Sequence, residues 1–310
     1  INGITVGKGA NSVSTNTVLG VSALDASVSG SHNVAIGHSA LTTCTSGNSN
    51  VAVGRNALLD LTEGTHNQGI GNNAGENITT GNFNAFIGTN SGAALTTGSN
   101  NIGISYNSLQ KTTTGGNNIG IGYEALQENT TASNNTAVGY LALTANTTGG
   151  TNTALGTEAL KNNTTASNNT AVGYAALFDN TTGQQNTAVG SSSGENITTG
   201  SYNAAFGYQA LLTSTTGETN TALGSFALRD CTTGGENTAV GSSAALSTTT
   251  GNYNAVLGRK ALEDNTTGSN NTAVGRSALE SNTTADNNTA IGYSAALSTT
   301  TGYHNVSVGT

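Results

Sequence analysis

The chain has 310 residues, of which 43 are Gly and only 8% are charged; its net charge is −8, and Pro, Met and Trp are absent. Eight Lys and Arg spread over that length cannot assemble a phosphate-tracking groove, which argues against nucleic acid as a partner. No apolar run reaches the roughly 18 residues of a helical membrane span.

In chain order, residues 1–15 read as an atypical first coil or connector. The chain opens on Ile1 with no signal-peptide pattern, as expected of a mature product or a piece of something longer. From residue 16 onward one phrase, Asn-Thr-Ala-Val-Gly or a close variant, returns every seventeenth residue without insertion or deletion. Its Asn stands at Asn16, Asn33, Asn50, Asn67, Asn84, Asn101, Asn118, Asn135, Asn152, Asn169, Asn186, Asn203, Asn220, Asn237, Asn254, Asn271, Asn288 and Asn305. Residues 16–310 are therefore expected to form one continuous repeat domain.

We number seventeen columns from that Asn. Column 4 is always apolar (Leu19, Ile36, Val53 and onward to Val308), and column 5 is Gly except at Ser105. Column 8 is Ala or Ser, and column 9 is Leu in twelve of seventeen repeats. Column 13 is Thr in every repeat but the first, which has Val28, and column 15 is Gly in fourteen of seventeen.

Seventeen residues are too few for a helical pair, whose repeats run to about 33 or more. The β-branched residues, Gly punctuation and abundant Asn and Thr predict short strands joined by tight turns. The fold class expected is all-β: a parallel β-solenoid of about 18 coils, with columns stacked at ~4.8 Å and a rod of roughly 85 Å.

Columns 4, 9 and 12 are expected to face the interior. Where column 9 loses Leu to Gly75, Gly92 or Gly194, column 12 becomes Ile78, Leu95 or Ile197. Where it becomes Ala245 or Ala296, the next residue is Leu246 or Leu297, so volume looks conserved within each coil. Two large apolar side chains per coil make a thin core for seventeen ordered residues, and association with further copies of the chain is expected. Column 3, almost always Ala or Gly (Ala35, Ala52, Gly103, Ala137, Ala171), is the row expected to let another backbone approach.

The phrase Asn-Thr-Ala-Val-Gly at 135–139, 169–173, 186–190, 237–241 and 271–275 resembles the repeats of trimeric autotransporter adhesin heads. With the preceding Ala-Leu-x-x-Asn-Thr-Thr-Gly it also resembles repeat regions of bacteriophage tail fibres and related surface proteins. The resemblance covers essentially the whole chain. It implies a left-handed β-roll, three parallel chains side by side as a homotrimer, an extracellular location, and attachment to a host or cell surface as the function. The period is longer than that of the usual adhesin head, and no membrane anchor or coiled-coil stalk is expected within these 310 residues.

Candidate chemistry is sparse. The Asn column reads as a structural ladder of buried amides bridging coils. Column 6 is the outer row with chemistry: Tyr106, Tyr123, Tyr140, Tyr174, Tyr208 and Tyr293 share it with His38, Arg55, Arg259 and Arg276. Such a row could contact a glycan or receptor by stacking on sugar rings, or the rings could shield neighbouring coils and fill grooves between chains.

Cys44 and Cys231, both in column 12, are expected to be half-buried free thiols, and the four His (32, 38, 66, 304) show no ligand spacing. Asn129, Asn146, Asn180 and Asn265 begin glycosylation sequons in the same column 12. No nucleophile, base and orienting acid stand out, so no catalytic residue, cofactor or metal is expected. The alternative function is ice binding, since column 14 is Thr from Thr80 to Thr301, although its partner row two residues away, column 12, is mixed.

Overall fold

The computed structural model describes residues 5–26 and 29–309; Val28, the departure from the Thr column, lies outside them. The chain divides into two compact units, Ile1–Asn152 and Thr153–Thr310. The described residues are all-β, with nineteen strands and no helix.

In the first unit, β1 (Thr5–Gly7) pairs antiparallel with β2 (Thr17–Gly20), Val6 opposite Leu19. From β2 through β3 (Val34–Ile36) and β4 (Val51–Val53) to β9 (Thr136–Val138), each strand pairs in parallel with the next at an offset of one repeat. The second unit repeats the arrangement from β10 (Thr153–Leu155) to β19 (Val306–Val308). This is a parallel β-solenoid with a 17-residue turn, and its strands are short, mostly three residues in columns 2 to 4.

Backbone hydrogen bonds nevertheless join the coils around most of the turn. Thr17 N–H donates to Asn33 O, Gly37 N–H to Leu19 O, Leu41 N–H to Ala57 O and Thr62 N–H to Thr79 O, at 2.9 to 3.1 Å. Fourteen residues of each coil lie outside the strand, yet their polar backbone is paired in this way, as buried backbone must be.

The corners are made by left-handed backbone. Columns 7, 9 and 17 hold φ near +55°, as at Asn56 (55°), Leu58 (49°) and His66 (58°). Column 5 also has positive φ: Gly37 is at +131°, and a Cβ there would fall 2.5 Å from Gly54 O, so the stacked repeat favours Gly, with Ser105 (φ 108°) the one side chain accommodated in the row. The twelve Leu of column 9 all sit at φ between 47° and 55°. A left-handed residue costs about 1–2 kcal/mol, whereas burying a Leu contributes about 1.5–3 kcal/mol. Burial outweighs the strain, and these leucines are fully buried.

The interior differs from expectation in one main respect. Column 3, expected at the outer interface, is the inward row: Ala35, Ala52, Ala137, Ala171 and Ala188 are 0% exposed. Column 4, expected inside, faces out, with Leu155 48% and Leu257 51% exposed. The reason is steric. The column 9 Leu of one coil already occupies the space under column 3 of the next, so a Cβ at Gly69 would fall 2.8 Å from Leu58 Cγ. Only Ala or Gly fits above a Leu, and alternation along the strand then sends the β-branched neighbour outward.

Column 12 is interior, as read from the exchanges: Ile78, Leu95 and Ile197 are fully buried. Leu246 and Leu297 do not refill the core; Leu246 is half-buried and Leu297 is 39% exposed. Above Ala245 the missing volume falls instead to column 3 of the next coil, where Val256 is buried.

Candidate functional site

The Asn column lies inside, and its hydrogen bonds show why one residue type is repeated. Asn50 N–H donates to Asn33 Oδ1 at 2.9 Å, and Asn50 Nδ2 donates to Gly64 O at 2.9 Å. Asn203 does the same with Asn186 Oδ1 and Gly217 O, both at 2.9 Å. Each side chain thus accepts from the next coil and donates to the column 15 carbonyl of its own. Ser cannot span both contacts, and Asp lacks the donor.

A second amide ladder runs in column 12. Asn146 Nδ2 donates to Asn129 Oδ1 at 3.0 Å, and Asn180 Nδ2 to Asn163 Oδ1 at 2.9 Å. Asn129, Asn146, Asn180 and Asn265 are fully buried, so these sequons offer no acceptor for a glycan on the folded chain. Where the ladder stops, acceptors are stranded: Asn180 Oδ1 and Asn282 Oδ1 have no hydrogen-bond partner.

The column 12 cysteines are buried completely rather than by half. Cys231 Sγ donates weakly to Gly234 O at 3.3 Å, and burial pushes its thiol up to about 12. Burial raises Cys44 as well, with Gly47 O as its partner.

Outside, two neighbouring rows define the candidate surface in each unit. The first is the strand face of columns 2 and 4. All eight Lys and Arg and all sixteen Asp and Glu lie elsewhere in the sequence, and within columns 2 and 4 only Gln68 among the non-Thr residues is polar. Ile70, Ile87 and Ile102 in the first unit and Leu155, Phe206, Leu223, Leu257 and Ile291 in the second are 37% to 51% exposed. A face of apolar side chains and Thr, free of charge, has the composition of an interface core.

The second row is column 6. Tyr106, Tyr123 and Tyr140 are 41% to 50% exposed and stack on one another, with ring centroids 5.5 and 5.4 Å apart and planes within 19°. Their faces are turned toward each other, so they present edges and hydroxyls outward. A hydrogen bond to Glu124, and then its charge, raise the pKa of Tyr123. In the second unit Tyr174 stands at 57% exposure, Tyr208 meets Phe226 edge to face at 5.3 Å, and the Arg276 guanidinium lies 5.6 Å from the Tyr293 ring centroid. Arg55 and Arg259 are exposed in the same column.

The exposed apolar strand face was the feature sequence reasoning missed. Its signal was available in Phe86, the one large aromatic in column 3, which stands between two column 9 glycines, Gly75 of the preceding repeat and Gly92 of its own. The Thr row of column 14 is exposed from Thr80 to Thr301, while column 12, the partner row that paired Thr arrays would need, is buried throughout most of its length.

Among the described residues no helix is long and apolar enough to cross a membrane, and no three His, Cys, Asp or Glu converge as metal ligands. No family model matches the chain, and a search of curated proteins finds no match to it.

Proposed function

We propose that the chain is a structural and adhesive segment of an extracellular fibre, of the kind found in phage tail fibres, adhesin heads or surface filaments, presenting a repetitive surface to a host or cell-surface receptor. The observation that carries this reading is the charge-free strand face repeated on coil after coil beside the Tyr and Arg row. Apolar surface of that regularity is costly to leave in water, and a second copy of the chain carries the same face at the same pitch. The fibre segment is accordingly a homo-oligomer, a trimer on the adhesin-like resemblance, packed through columns 2 and 4. Column 6 then lies at the margin of the packed face, open to a receptor.

Light scattering with size-exclusion chromatography tests the assembly. The native chain elutes as a defined oligomer, and Val172→Glu with Val189→Glu shifts it to monomer, whereas Thr182→Glu on the Thr row does not. A native chain that stays monomeric at high concentration sinks the assembly. Loss of cell or glycan binding in Tyr174→Ala and Arg259→Ala tests the receptor face.

One observation favours ice binding as a second reading. Column 14 is an exposed Thr row without interruption from Thr80 to Thr301. Thermal hysteresis separates the readings, because a fibre segment shows none.

A further inference from the structure

Three consecutive coils carry Tyr106, Tyr123 and Tyr140 in one row, and the phenol rings pack pairwise at 5.5 and 5.4 Å between centroids, half in solvent. The other tyrosines of column 6 have no Tyr neighbour along the row. Tyr174 is flanked by Thr157 and Ser191, Tyr208 by Ser191 and Ser225, and Tyr293 is preceded by Arg276. The three-ring stack is thus a distinct chemical feature of the first unit.

We propose that this stack is a site of oxidative cross-linking, at which a one-electron oxidant of the haem-peroxidase class, driven by hydrogen peroxide, joins Tyr123 to Tyr106 or to Tyr140. Each of two neighbouring phenols gives up one electron and its hydroxyl proton. The two radicals form a carbon–carbon bond between ring positions ortho to the oxygens. Each ring then returns to aromaticity as its ortho hydrogen leaves as a proton and its oxygen regains one. In total two electrons and two protons depart, and one hydrogen peroxide accepts them to give two waters.

The solenoid supplies the proximity. In-register columns hold the side chains of adjacent coils about 4.8 Å apart at the backbone, so the coupling is unimolecular rather than a chance encounter of two chains. Exposed side chains reorient on the picosecond to nanosecond scale, which lets the rings tilt from stacked to edge-on without backbone movement. The product closes a loop of one repeat and staples neighbouring coils in a chain that has no disulfide, since Cys44 and Cys231 are free.

The test is treatment of the full chain with a haem peroxidase and hydrogen peroxide, read by dityrosine fluorescence, denaturing gel and peptide mapping. Within single-chain material, the expected product joins the Tyr123 peptide to that of Tyr106 or Tyr140 with loss of two hydrogens, at a yield per chain unchanged on dilution. Tyr123→Phe, with an unchanged circular dichroism spectrum, leaves Tyr106 and Tyr140 two coils apart and abolishes this product; Tyr174→Phe leaves it at the native level. No dityrosine in the native chain, a yield that falls with dilution, or a single-chain product that survives Tyr123→Phe overturns the proposal.

Discussion

Gly92 stands where most repeats carry Leu, and the ring of Phe86 fills the vacated space: a Cβ built on Gly92 would fall 2.4 Å from Phe86 Cε1. Gly75, one coil earlier, borders the other side of the ring, with Phe86 Cδ2 3.1 Å from the place of its Cβ. The Phe86 ring, together with Ile78 and Leu95 in column 12, therefore takes the place of two column 9 leucines.

That exchange predicts strong coupling. Phe86→Ala leaves a cavity and costs about 3–5 kcal/mol, while Gly92→Leu drives a side chain into the ring and costs about 1–3 kcal/mol. The double variant returns a Leu to the emptied space and is more stable than the sum of the two losses. Urea unfolding of the four proteins measures the coupling.

Asn203 is the point at which the ladder is most simply tested. Asn203→Ala removes the acceptor of Asn220 N–H, at 3.0 Å, and the donor to Gly217 O, at 2.9 Å. Each stranded buried group costs about 1–3 kcal/mol, so the loss is several-fold that of Thr199→Ala in the exposed Thr row, where a surface change stays within about 0.5 kcal/mol. Thermal unfolding midpoints of the two variants give the comparison.

The stranded Asn180 Oδ1 lies beside the coil of Gly194 and Ile197, and Ile197 Cδ1 is 3.0 Å from where a Gly194 Cβ would be. Ile197→Asn alone supplies a donor to Asn180 but empties the core. Gly194→Leu alone overfills it. Together they reproduce the Leu177 and Asn180 pairing of the preceding coil, and the double variant is within about 1 kcal/mol of the native chain while each single change is worse.

Cys231 predicts a pH window. Its thiol rises from an ordinary 9.0 to about 12 through burial, so the folded chain keeps the proton where the unfolded chain has lost it. The stability this contributes is complete below pH 9.0 and is lost as pH rises toward about 12, at up to about 1.4 kcal/mol per unit. Cys231→Ser flattens that part of the pH dependence. Native-state alkylation of Cys231 at pH 8 is correspondingly far slower than in urea.

The 17-residue period, the all-β coil, the buried Asn column and the inward column 12 were legible in the sequence because each depends on identity repeated at fixed spacing. A ladder shows as a constant residue, and a shared core volume shows as paired exchanges, as at Gly194 and Ile197. The orientation of columns 3 and 4 was a different matter. A three-residue strand has two opposite faces, and hydrophobicity alone assigns the larger residue, Ile36 or Val53, to the inside. Tertiary packing reverses that choice, because Leu58 already fills the space beneath Gly69 and only a small residue fits above it. The outward β-branched row, and with it the candidate interaction face, was decided by the stacking of one coil on the next.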